Sequence, residues 1–164
     1  MKKLCLFLCV LMLSFTGCAA PVFETVDDQN DVAAAAVPAT LLIQLPEDAA
    51  APAMNGLYGT LYFCDDYEIM IETVAAGNLD GTLRTLTGFG TDKINPLTTV
   101  RCGVPCYEGA WSAAGEAGDQ VGRILVLDDG KFHYCVSVIG SAEDAAVYAQ
   151  DWIRLLDSVS LTEG

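Results

Sequence analysis

Apolar and polar positions change their period along this chain, and each change predicts an element. Residues 39–48, ATLLIQLPED, are a short apolar run closed by Pro46 and read as a first strand. Residues 56–64 read as a second strand and Asp65-Asp66-Tyr67 as a turn. Glu68–Val74 is then a third strand, forming a hairpin with the second. In that third strand Ile69, Ile71 and Thr73 alternate with Glu68, Met70, Glu72 and Val74, so neither face is wholly polar. The period then lengthens. Leu79, Leu83 and Leu86 recur at helical spacing, Asn78 supplies a cap, and Gly88 and Gly90 end the helix.

Strand periodicity returns at 97–101, 107–114, 122–127 and 131–139. Cys102-Gly-Val-Pro-Cys106 reads as one turn and Asp128-Asp129-Gly130 as a hairpin signal. Ser141, with Asp144 three residues on, resembles a capping box. Behind it Ala145, Ala149, Trp152 and Leu156 share one helical face, and 158–162 closes the chain as a short strand. The expected class is α+β: a mostly antiparallel sheet with a mid-chain helix and a C-terminal helix packed on it. No internal repeat is visible.

The N-terminus follows a different logic. Lys2 and Lys3 precede an apolar run from Leu4 to Phe15, shorter than the roughly 20 residues a spanning helix needs. Phe15-Thr16-Gly17-Cys18 resembles a bacterial lipobox, with Phe15 where an aliphatic residue is usual. The resemblance implies a lipoprotein signal peptide at 1–17, cleavage before Cys18, and a diacylglycerol thioether on Cys18 with further acylation of the new amine. An ordinary signal peptide cut after Ala19 or Ala20 is the plainer alternative. Residues 18–38 then form a flexible linker and 39–164 a single domain.

Composition narrows the partners. The 164 residues hold 22 acidic and 8 basic side chains, a formal net charge of −14. Such a body repels nucleic acid and anionic headgroups. The expected membrane contact is therefore lipid on Cys18, at the extracytoplasmic face of a bacterial cell membrane, with palmitate as the readily labelled acyl group.

Of seven cysteines, Cys64, Cys102, Cys106 and Cys135 lie in the domain. An even count outside the cytoplasm invites disulfides. Gly103 and Pro105 suit a tight turn, so a Cys102–Cys106 bridge across a hairpin is expected, with Cys64–Cys135 as a second pairing. Four buried free thiols are the alternative.

The order strand, Asp-Asp-Gly turn, strand, helix and then LLDSVSL, with LLIQLPED near the start, resembles the PsbP-like group over roughly 39–162. That group includes the extrinsic subunit of photosystem II and many small bacterial lipoproteins. The resemblance implies an antiparallel sheet flanked by helices in a layered sandwich, and a binding or assembly role rather than an enzyme.

Candidate chemistry is sparse. His133, the only histidine, shares a strand face with Cys135 and Ser137, and a half-exposed strand histidine is the expected role. A zinc site from the cysteines and His133 lacks the usual short spacings. Asp65-Asp66 and Asp128-Asp129 carry carboxylates suited to calcium but read as turn residues. Trp111 and Trp152 read as core, with a ligand-groove role open. No cofactor, metal or catalytic residue is expected. The expected function is a non-catalytic binding or assembly module of the bacterial cell envelope, with an unidentified envelope protein as partner. The alternatives are a thiol-redox protein using Cys102 and Cys106, or a small-ligand-binding lipoprotein.

Overall fold

The computed structural model describes residues 36–56, 59–115 and 118–162. The expected signal peptide and Cys18 lie outside them, as does most of the expected linker. Among the described residues nine strands and three helices follow in order. Strands β1 (Leu41–Leu42), β2 (Met54–Asn55), β3 (Gly59–Phe63) and β4 (Tyr67–Ala75) come first. Helices α1 (Leu79–Thr87) and α2 (Thr91–Ile94) precede β5 (Leu97–Arg101), β6 (Val104–Ala113), β7 (Gln120–Asp128) and β8 (Phe132–Ser141). Helix α3 (Ala145–Asp157) and β9 (Ser160–Leu161) close the chain.

Seven strands make one antiparallel sheet in the order β2-β3-β4-β8-β7-β6-β5. The hairpins β3–β4, β5–β6, β6–β7 and β7–β8 account for most of it. Closing the sheet requires one non-local pairing, β4 against β8, in register from Tyr67↔Gly140 to Ala75↔Phe132.

The sheet is covered on both faces, which is why its central strands are apolar on both sides. Helix α3 covers one face. Trp152, Leu155 and Leu156 meet Tyr67, Ile69, Leu125, Leu127, Val136 and Val138, all buried. Tyr148 and Trp152 stack with ring centroids 4.5 Å apart, and Tyr67 meets Trp152 edge-on at 5.8 Å. Burying each such side chain contributes about 1.5–3 kcal/mol. Arg101 secures the helix's far end by donating to the Leu156 carbonyl and, at 2.9 Å, to Glu108 Oε1. Helices α1 and α2 cover part of the other face, where Leu83 and Ile94 pack on Ile124, Val126 and Cys135.

Several local signals act as expected. Asn78 caps α1 by accepting from Asp80 N at 2.8 Å, and Gly88 ends it at φ 80°. Three details differ. The first strand shrinks to Leu41–Leu42 and pairs with β9 in a separate two-stranded sheet, and just beyond it Gln44 N donates to Ser158 Oγ at the end of α3, 2.9 Å away. The short helix α2 is not visible as periodicity. It is fixed instead by Asp80 Oδ1, which accepts from Thr91 N at 2.8 Å and Thr91 Oγ1 at 2.9 Å. Ser141 ends β8 rather than capping α3: Asp144 occupies the cap position with no side-chain hydrogen bond, and Ser141 Oγ accepts from Glu143 N at 3.2 Å.

Candidate functional site

Helix α1 leaves the outward face of β4 uncovered along one side, and a trough runs there. Glu68, Met70, Glu72 and Val74 point into it in sequence, since alternate strand residues share a face. Its middle section, about 290 Å³, has Met70, Ser137 and Ile139 as floor and Thr85, Leu86 and Trp111 as wall. Toward one end the trough shares Glu68 and Ile139 with an acidic mouth holding Asp65, Asp66 and Asp119. Toward the other it shares Glu72, Thr85 and Leu86 with a section reaching Val74, Gly77 and Thr82. From Glu68 to Val74 the floor spans about 20 Å at strand rise.

The wall at Trp111 depends on a glycine. Trp111 pairs with Gly122, which in turn pairs with Ile139. A Cβ on Gly122 would lie 2.2 Å from Trp111 Cζ2, so the indole lies across the bare backbone of β7. This makes Trp111 a groove residue, while Trp152 is core, 3% exposed. Glu72 is half-buried beside Gly59, and burial pushes its carboxyl upward. Neither Glu68 nor Glu72 forms an ion pair among the described residues.

His133 is buried, 1% exposed, rather than half-exposed on a strand. Its Nδ1 lies 2.8 Å from Thr82 Oγ1 on α1, and its Nε2 lies 3.6 Å from Asp128 Oδ2. A proton on Nε2 faces the carboxylate, and Nδ1 then accepts the Thr82 hydroxyl. The imidazole thus ties α1 to the sheet beneath the trough's inner end. Cys135 lies two residues on along the same face, as expected, but bonds to neither.

The Asp pairs are absorbed by turns. Asp128 Oδ1 accepts from Gly130 N at 2.8 Å. Asp129 Oδ1 accepts from Lys131 N and Phe132 N, and its Oδ2 accepts from Tyr134 Oη at 2.8 Å. Burial alone would raise the Asp129 carboxyl, but these donors outweigh it and hold it below the usual carboxylate range. Asp65 and Asp66 are exposed at the trough mouth. No cluster of metal-ligating side chains occurs among the described residues.

The cysteines correct the expected pairing. All four are free thiols. The last pair of the β5–β6 hairpin is Arg101↔Val104, so the turn is only Cys102-Gly103, with φ of 54° and 77°. Cys102 therefore sits exposed at the tip, while Cys106 faces Thr99 within the ladder and is buried under α3. Cys64 packs on the α3 side of the sheet and Cys135 on the α1 side, so the sheet itself separates them. Burial pushes the Cys64 thiol up to about 11 and Cys135 to about 12, and raises Cys106 as well.

No family model matches the chain, and no curated protein does. Solved structures do share the fold. LpqN of Mycobacterium tuberculosis, described as involved in cell envelope biogenesis, superposes with a TM-score of 0.51 at 9% identity, over 77% of this chain and 87% of LpqN. A Bacteroides thetaiotaomicron protein gives the same TM-score and identity over 75% of this chain but only 45% of its own, so the chain spans less than half that protein's length. At such identity the likeness is one of fold: an antiparallel sheet layered with helices. No helix among the described residues is long and apolar enough to cross a membrane.

Sequence reasoning missed Thr82, Gly122 and the trough itself. One signal was present: Glu68, Met70, Glu72 and Val74 alternate charge with apolar bulk on a face that a simple solvated strand would fill with polar residues.

Proposed function

We propose that the protein is a lipoprotein held through lipid on Cys18 at the extracytoplasmic face of a bacterial cell membrane. There its PsbP-like layered domain serves as a non-catalytic binding module of the cell envelope, and the trough along β4 is its binding surface. The observation that carries the binding role is the trough. A long concavity that sets a half-buried carboxylate and a partly exposed indole among apolar side chains is suited to an occupant. Two further points support the envelope setting. The Phe15-Thr16-Gly17-Cys18 sequence has the lipobox pattern, and the fold is shared with a protein involved in envelope biogenesis. Two or three acyl chains at one residue give a stable anchor where one gives a reversible one.

The anchor is tested by labelling cells that express the full chain with radioactive palmitate and separating membranes. Label and membrane retention in the wild type, both lost in Cys18→Ala, support the reading; an unlabelled wild type overturns it. The binding role is tested by placing a photocrosslinking residue at Thr85, on the trough wall, and at Val147, which is exposed on α3. Capture of an envelope component from Thr85 alone supports it; identical capture from both positions overturns it.

A further inference from the structure

We infer that the trough receives an extended basic segment of a partner polypeptide, whose lysine or arginine side chains meet Glu68 and Glu72 while an apolar side chain between them rests on Met70. The inference rests on the binding reading above and names the partner's chemistry.

Shape favours an extended chain. Three hollows that share lining residues succeed one another along β4 from Glu68 to Val74, so the trough accommodates a strand-like segment better than a compact ligand. Spacing favours the same occupant. Glu68 and Glu72 lie four residues apart on one strand face, roughly 13 Å, with Met70 midway. An extended peptide presents same-face side chains at the same repeat, so residues i and i+4 meet the two carboxylates and residue i+2 meets the thioether. Because β4 is paired on both edges, by β3 and β8, the peptide lies on the sheet face and is read by side chains rather than added as a strand.

Charge decides the sign of the partner. Neither carboxylate forms an ion pair among the described residues, and no lysine or arginine lines the trough; Lys93 lines a separate hollow with Phe89 and Trp111. Asp65, Asp66 and Asp119 at the mouth extend the negative field outward, which speeds encounter with a cation and repels an anion. An incoming ammonium or guanidinium also offsets the penalty of half-burying Glu72.

The test is fluorescence anisotropy on the full chain with three labelled nonapeptides. One carries lysines four residues apart with leucine midway, one has the same composition with the lysines adjacent, and one has glutamates in place of lysines. The first is expected to bind, the second several-fold more weakly and the third not at all. Glu68→Gln combined with Glu72→Gln is expected to weaken the first peptide by roughly tenfold, and added salt by a similar factor. Both residues sit on the sheet surface, so circular dichroism of the double variant should match wild type. The inference is overturned if the glutamate peptide binds as well as the lysine peptide. It is equally overturned if the double variant binds unchanged, or if spermidine competes at its own charge-equivalent concentration. Should the lysine peptide fail while the crosslinker at Thr85 captures a neutral or anionic envelope component, the basic-segment inference falls and the binding role stands.

Discussion

Trp111 lies across Gly122 so closely that a single methyl group on the glycine would sit 2.2 Å from the indole Cζ2. Gly122→Ala must therefore expel the ring from its seat on β7. Overpacking of this kind costs about 1–3 kcal/mol. The expected outcome is a lower urea midpoint with an unchanged slope, together with loss of binding in the trough. A variant of wild-type stability that still binds would show that the ring is free to move.

The Thr82–His133 contact joins α1 to the sheet. Thr82→Val keeps the shape and removes the hydroxyl, leaving Nδ1 buried without its partner, at a cost of about 1–3 kcal/mol. Thr82→Ser restores the hydroxyl and should recover most of the stability. Hydrogen exchange localises the effect: amides of Leu79–Thr87 should lose protection in the valine variant ahead of those in β7 and β8. Uniform loss across the domain would rule out a local tie.

Acid sensitivity follows from Asp80. Its carboxylate accepts from Arg84 Nε at 2.7 Å and from the backbone and hydroxyl of Thr91, and these donors hold its pKa down to about 2. An unfolded aspartate titrates near 3.9, so the unfolded chain takes up the proton first on acidification. The stability these contacts give is complete above about pH 4 and is lost as pH falls toward 2. Asp80→Asn should flatten the decline across that window, measured as urea midpoint against pH. Asp129, also held low, leaves a residual slope in the variant.

The thiols give a direct chemical check. Cys102 is exposed, Cys64 half-buried, and Cys106 and Cys135 buried with raised pKa values. Brief alkylation of the native domain should label Cys102 first and Cys64 slowly, while Cys106 and Cys135 react only in denaturant. Intact mass should be the same before and after reduction. A two-proton difference localised to Cys102 and Cys106 would contradict the hairpin described above.

These contacts show where the sequence was informative. Asn78 and Gly88 bracket α1 because capping is local: the Asn78 side chain reaches only Asp80 N, two residues away. The Asp128-Asp129-Gly130 turn was legible for the same reason, its carboxylates binding amides within three residues. Misreadings arose where the deciding partner is remote. Cys102 and Cys106 look like neighbours, but the Arg101↔Val104 pairing sends them to different places. Ser141 has the composition of a cap, yet β7 extends β8 through it by pairing Gln120 with Ser141. His133 gives no hint of Thr82, 51 residues away.

The sequence alone determined the longer strands and the two longer helices, the hairpins, both caps of α1 and the acidic charge, because each is set by neighbours within a few residues. Only the tertiary structure decided that β4 and β8 pair, that the four thiols stay apart, and that Trp111 walls a trough. Those outcomes depend on which distant surfaces exclude water together. The missing side chain of Gly122, silent in the sequence, acquires meaning only when Trp111 lies over it.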